Sequence, residues 1–167
     1  IDRRYVQNGL DRKYQYNDIM KQIFEAEGIP KDLINVAFVE SCYKPSAKSH
    51  AGAVGMWQFM KPTAKAYGLR VNLLVDERKD VILSTIAAAR YFRDLYMAYE
   101  NWELALAAYN AGTKRVNWAI KKSNVRNYWQ LSDWGYFKQE TEEFVPKYMA
   151  LTIISRNPII YGFNYQT

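Results

Sequence analysis

Apolar residues recur along this chain at the three- and four-residue spacing of helices, with little of the alternation expected of strands. The pattern predicts a first helix from Asp18 to Glu27, stopped at Gly28, with Pro30 opening the next. That second segment, from Pro30 to about Glu40, carries Leu33, Ile34, Val36, Ala37, Phe38 and Val39. It is apolar on nearly every side and is therefore expected in the core. Residues 41–60 hold Pro45, Gly52 and Gly55 with short alternation, which reads as a loop or a small irregular hairpin. A short helix starts at Pro62 and stops at Gly68. A long one runs from about Asp80 to Tyr99, with Val81, Thr85, Ala88, Ala89, Phe92 and Leu95 on one side. Asn101 is a suitable N-cap for Trp102 to Asn110, and Gly112 a suitable stop. Another short helix covers about Lys114 to Lys121. Residues 123–139 are aromatic and irregular, and a last helix spans about Glu140 to Ser155. Pro146 either kinks that helix or marks its true first turn. The expectation is a mostly α fold, one domain over residues 1–167 with its core at about 18–155.

This reading puts Glu40 at the inner end of a buried helix, just before a loop of small residues. From Ser41 to Val75 there is no Asp or Glu, while Lys44, Lys48, Lys61, Lys65 and Arg70 are basic. A carboxyl emerging from an apolar helix has its pKa raised by desolvation, which keeps it protonated and able to donate to a leaving group. That is the requirement for a general acid in glycoside cleavage.

Composition sharpens the partner question. Aromatics make up 16% of the chain, with 14 Tyr and 5 Trp, more than a core of this size needs. They suggest a groove lined by rings that stack on sugars or bases. The net charge is +6, which fits a solvated basic surface or an anionic polymer as partner: nucleic acid, lipid headgroups or an acidic glycan. No recognition helix or RNA-binding sheet signature accompanies the charge, so nucleic acid is not expected. Cys42 and His50 are each the only residue of their kind, which argues against a disulfide, a Cys-based metal site and a catalytic zinc, and no cofactor is expected. Cys42 reads as a small packing residue, without a base and orienter set around it. No run approaches the roughly 18 apolar residues of a membrane span, so no membrane is required by this stretch. No signal peptide is visible at Ile1, and the chain reads as a mature or trimmed fragment.

Three further segments stand with Glu40-Ser41: Ser49 to Gln58, Ala108-Tyr109-Asn110-Ala111-Gly112, and Glu140 to Lys147. Each alone has a plain explanation as a turn, a helix end or an ion pair. Together and in this order they resemble the catalytic domain of the bacterial lytic transglycosylases of the soluble type, which share the goose-type lysozyme fold. The resemblance covers about Ile19 to Ile154. Within the family it is nearest the membrane-bound D branch, where a Trp likewise precedes the Gln of the Gly-Leu-Met-Gln loop, here Gly55-Met56-Trp57-Gln58.

The resemblance implies a lysozyme-like helical domain with a small irregular hairpin or loop region beside an active-site cleft. It implies Glu40 as the catalytic acid, and Ser49, Met56, Trp57, Gln58, Tyr109, Asn110 and Phe144 as substrate-binding positions. One of Trp129 or Trp134 is expected to join the ring-lined groove. The substrate would be the peptidoglycan glycan strand, the location the periplasm or cell envelope, and the protein a monomer.

Ordinary glycosidases use two carboxyls, roughly 5–5.5 Å apart for retention or 6.5–9.5 Å for inversion. One acid suffices if the substrate supplies its own nucleophile. In the family reaction Glu40 would protonate the glycosidic oxygen, then take the proton of the muramic C6 hydroxyl as a 1,6-anhydro ring closes. Asp76, Glu77, Asp80 and Glu103 stand as possible partners for a water-using reaction instead. The family Tyr of the last motif, expected to hydrogen-bond the acid, is Phe144 here, which keeps a lysozyme-like hydrolase in view, for instance on de-N-acetylated glycan. A non-catalytic glycan-binding module is the remaining alternative.

Overall fold

A computed structural model describes residues 2–164. Among them are eight α-helices: α1 (Arg3–Ala26), α2 (Val36–Ser41), α3 (Lys61–Ala66), α4 (Val81–Tyr99), α5 (Trp102–Ala111), α6 (Thr113–Ser123), α7 (Tyr128–Asp133) and α8 (Gln139–Arg156). The mostly helical expectation is correct. None of these helices is long and apolar enough to cross a membrane.

Three elements differ from the sequence reading. The first helix begins at Arg3, fifteen residues early, because the Asp2 carboxylate accepts from the Tyr5 amide and caps it. Its buried stripe, Val6, Gly9, Leu10, Met20 and Phe24, is diluted by polar neighbours and hard to see as a period. Residues Lys31–Asn35 form a 3₁₀ turn ahead of α2, so the second segment is not one α-helix. Within the aromatic stretch Asn127 caps α7, accepting from the Gln130 amide at 3.0 Å. Pro146 lies inside α8. Proline there takes away the donor that would reach the carbonyl four residues back, at Glu142. The Tyr128 hydroxyl supplies that donor instead, 2.9 Å from the Glu142 oxygen and 3.0 Å from that of Thr141.

The chain forms two compact units, and passes from one to the other within α4 and again within α8. The first contains the residues up to Tyr91 and those from Ala150 onward. Its core gathers Phe24, Ile34, Phe38, Tyr43, Met56 and Trp57, all fully buried. Gly9 lets α1 lie against α2: a Cβ there would sit 1.9 Å from the Phe38 ring. Asn35, itself buried, accepts from Lys13 Nζ and from the Tyr43 hydroxyl, both at 2.8 Å, and donates to Thr152 at 3.2 Å.

Burial, with a smaller push from Lys21, lowers the Lys13 amine from 10.5 to about 8, against a weaker opposite pull from Asp32. A lysine depressed on folding binds a proton on unfolding, so its penalty is complete below pH 8 and disappears as pH rises from 8 to 10.5. Lys13→Met should therefore remove a penalty on the order of 3 kcal/mol at pH 7, set against one lost hydrogen bond of about 1 kcal/mol. Urea denaturation at pH 7 and pH 10 checks this: the stability gap between variant and wild type should narrow at the higher pH. A gap that does not depend on pH would contradict it.

The second unit runs from Phe92 to Met149. Buried Leu104, Leu106, Leu131, Val116 and Val145 form its core. Asn101 caps α5 through the Leu104 amide, as its position in the sequence implies. Tyr99 donates to Asn117 at 2.8 Å, and Arg126 donates to the Tyr99 carbonyl at 3.0 Å.

Candidate active site

Glu40 occupies the last turn of α2 and is half-buried, between the fully buried Val36-Ala37-Phe38 and the turn that follows. Three contacts hold that turn. The Tyr5 hydroxyl reaches over from α1 to donate to the Phe38 carbonyl at 2.5 Å, with the Val39 carbonyl at 3.3 Å. Burial pushes the Tyr5 phenol up to about 12, and the nearby Cys42 and Glu40 charges add to this, so it remains a donor. Cys42 and Tyr43 then both adopt left-handed backbone, uncommon for residues other than glycine. The Cys42 thiol donates to the Tyr5 carbonyl, and the Tyr43 ring packs on Phe38 with its hydroxyl on Asn35. Burial raises the Cys42 thiol above its ordinary value, which disfavours a nucleophilic thiolate.

Ser41 joins Glu40 to the small-residue loop. Its hydroxyl donates to the Met56 carbonyl at 2.7 Å and accepts from the Lys44 amide at 3.2 Å. The loop itself is a pair of short bridges, Lys48 with Val54 and Val54 with Phe59. This is the small irregular hairpin expected from its glycines. Ser49 closes one end, accepting from the Ala53 amide through its side chain at 3.0 Å. Gln58 closes the other, with left-handed backbone and its side-chain amide on the Gly55 carbonyl at 2.8 Å. Gly55 has φ of 89°, and a Cβ there would lie 1.8 Å from the Arg78 carbonyl oxygen, so no other residue fits.

Arg78 organises this loop and was not singled out by sequence reasoning. It is 7% exposed and pairs bidentately with Asp76, Nε and Nη2 each at 2.8 Å. Its Nη1 donates to the carbonyls of Gly52 and Phe59, both at 3.1 Å. In sequence it sits in an Asp-Glu-Arg-Lys-Asp run that looks like solvated surface. The same region bears on the search for a second acid. Hydrogen bonds from Arg78 lower the Asp76 carboxyl, and those from Arg70, its backbone amide first, lower that of Glu77. Groups held ionised in this way are weak bases. Asp80 accepts from the Leu83 amide at the start of α4. Three of the four acids considered as partners thus have structural work.

Three substrate-binding expectations need correction, those for Trp57, Met56 and Phe144. The Trp57 side chain is 0% exposed: it stacks on Phe24 at 5.4 Å and donates its indole N–H to Thr85 at 3.0 Å. It is a core aromatic, and no face is open to a sugar. Met56 is also fully buried, its part at the site being the carbonyl that Ser41 binds. An aromatic with a polar hydrogen bond inside the core gives the same sequence signal as one in a groove.

In the second unit, Tyr109 and Asn110 end α5. The half-buried Tyr109 ring stacks on Phe92 at 4.7 Å with 10° between planes. Asn110 accepts from the Thr141 hydroxyl at 2.8 Å and offers its amide to Glu140 at 3.5 Å. These bonds tie the Ala108–Gly112 segment to the start of α8. Phe144, further along α8, is 4% exposed, so its ring packs and offers no surface. Trp129 and Trp134 are exposed by 42% and 57%, and they do offer ring surface.

The helical architecture and the hairpin pinned by Ser41 fit a lysozyme-like fold. The chain belongs to the transglycosylase SLT domain family, which matches residues 18–132. It is similar to the membrane-bound lytic murein transglycosylase D of Escherichia coli K12, with 38% identity over 83% of this chain and 31% of that protein. It is also similar to the peptidoglycan transglycosylase gp16 of Escherichia phage T7, with 40% identity over 60% of this chain and 8% of that protein. The solved structure of the 70 kDa soluble lytic transglycosylase Slt70 from Escherichia coli superposes with a TM-score of 0.71 at 25% identity, over 86% of this chain and 24% of that one. The chain therefore spans about a third or less of these relatives.

Proposed function

We propose that residues 1–167 act as one catalytic domain that cleaves the β-1,4 bond between N-acetylmuramic acid and N-acetylglucosamine in peptidoglycan. Glu40 is the single general acid and base, and the product carries a 1,6-anhydromuramoyl end. The observation that carries this reading is the setting of Glu40: half-buried at the end of an apolar helix, in a turn fixed by Tyr5, with Ser41 bonded to the Gly55–Gln58 loop. The engagement of Asp76, Glu77 and Asp80 with structural partners supports it, because a water-using mechanism needs a second free carboxylate. Ser49, Gln58, Tyr109 and Asn110 contact the glycan, with Trp129 or Trp134 stacking on a sugar face. The setting is the periplasm or cell envelope, and the domain works as a monomer on glycan strands.

The products separate this reading from a hydrolase. Purified sacculi are digested and the released muropeptides weighed. Products lighter by one water than the hydrolytic ones are expected, whereas reducing ends would mean a lysozyme-like reaction, and no release a binding module.

A further inference from the structure

The turn from Val71 to Asp76 carries apolar surface that neither the core nor the site at Glu40 uses. Val71 and Asp76 pair as an antiparallel bridge, and the Asn72 amide donates to the Val75 carbonyl at 2.8 Å. The Asn72 side-chain oxygen accepts from the Leu74 and Val75 amides at 2.8 and 2.9 Å, which fixes the tip from within. On that tip Leu73 and Leu74 are each 95% or more exposed, and Val75 is exposed beside them. Leucines exposed singly are ordinary, but two adjacent ones on a fixed turn form a patch. Met60, Ile82 and Leu83, at the two ends of the same stretch of chain, are exposed as well. Behind the tip Arg70 pairs with Glu77 and Arg78 with Asp76, so these four charges cancel. The exposed charges left between residues 60 and 83 are Lys61, Lys65 and Lys79 against Asp80. Lys79 follows the turn directly, its amide donating to the Asp76 carbonyl at 3.2 Å. Among the described residues none of these three lysines makes an ion pair.

We propose that this turn docks the domain on a bilayer surface that contains anionic lipid, with Leu73 and Leu74 inserted at the level of the acyl chains and Lys61, Lys65 and Lys79 facing the headgroup phosphates. The contact lies on the surface and is distinct from a span, which none of the described helices could form. A bilayer fits the tip better than a protein partner does. A stable protein interface buries roughly 800 Å² on each side, more than one six-residue turn presents. A bilayer instead takes up individual apolar side chains, and each neighbouring cation adds its attraction to anionic headgroups. The turn carries no aromatic ring to stack on a sugar, so it is not an extension of a glycan groove. Two leucines bury less hydrocarbon than one myristoyl chain, which by itself anchors only marginally. Docking is therefore reversible and depends on the lysines. It does not depend on the reaction at Glu40.

The test is co-sedimentation of the protein with vesicles of phosphatidylcholine alone and of phosphatidylcholine with about one-third phosphatidylglycerol. Wild type should bind the anionic vesicles more tightly, and added salt should weaken that binding. Changing Leu73 and Leu74 together to Ser should lower the partition coefficient by roughly tenfold or more. Lys79→Gln should lower it by roughly fivefold, the share of one cation near such a surface. Because Leu73 and Leu74 touch neither the core nor the site, the thermal midpoint of the double Ser variant should stay at the wild-type value. Its muropeptide release from sacculi should change less than about twofold. Wild type that does not sediment with anionic vesicles, or a double Ser variant that binds them as well as wild type, overturns the proposal. Equal binding to both vesicle types overturns the role of the lysines. A wild-type dimer in sedimentation velocity that the Ser changes convert to monomer would mean that a second copy covers the tip, and also overturns it.

Discussion

Glu40→Gln is expected to remove peptidoglycan cleavage, by at least the roughly 10²–10⁴-fold that a positioned general acid and base contributes. Gln preserves the shape of the side chain and its place in the turn, but it cannot give a proton to the glycosidic oxygen or take one from a sugar hydroxyl. In a two-carboxylate enzyme the second acid would remain and some turnover could survive. Here Asp76 and Glu77 are already bound by arginines and Asp80 accepts at the start of α4, so three of the four other candidate acids are engaged. The fold should be unaffected, since the Tyr5 and Ser41 bonds that hold this turn use backbone carbonyls and not the Glu40 carboxylate. Muropeptide release from sacculi, thermal unfolding and co-sedimentation with sacculi together check this. Activity lost with stability and sedimentation retained is the expected result. A variant keeping more than about a tenth of wild-type activity would place the acid elsewhere.

Arg78→Leu should have the largest effect on stability. The substitution strips Asp76 of both its guanidinium bonds and removes the donor shared by the Gly52 and Phe59 carbonyls. Breaking a buried pair from one side costs roughly 3–5 kcal/mol, because the remaining charge stays behind in poor solvation. Small domains have about 5–15 kcal/mol in total, so the variant should be near unfolding. The loop that Gly55 packs against the Arg78 backbone should loosen, and activity should fall with it. Adding Asp76→Asn should recover part of the stability by removing the stranded charge. Urea midpoints of the single and double variants measure this. Equal stability of the two, within about 0.5 kcal/mol, would show that the ion pair is not what holds the loop.

Much of this protein is legible in its sequence. The Asn101 cap with its Gly112 stop and the glycines of the 41–60 segment act over a few residues, and each yields the element it implies, while the apolar run Leu33 to Phe38 yields the buried position it implies. The four ordered motifs point to the family for the same reason, since each one is a short contiguous piece. Local signals are less informative where the deciding partner is far along the chain. Asp2 and the dilute stripe to Phe24 build a helix of 24 residues from a stretch that looks mainly polar. Pro146 sits inside a helix because Tyr128, eighteen positions earlier, supplies the missing donor. Trp57 looks like a sugar platform by residue type, yet Phe24 and Thr85 enclose it. Arg78 looks like surface charge, yet it carries the loop beside Glu40. Residue type and spacing thus determined most of the helices, the hairpin and the position proposed for the acid. Tertiary structure alone decided which polar side chains hold that acid's surroundings, because a hydrogen bond between distant residues leaves no periodic trace in either of them.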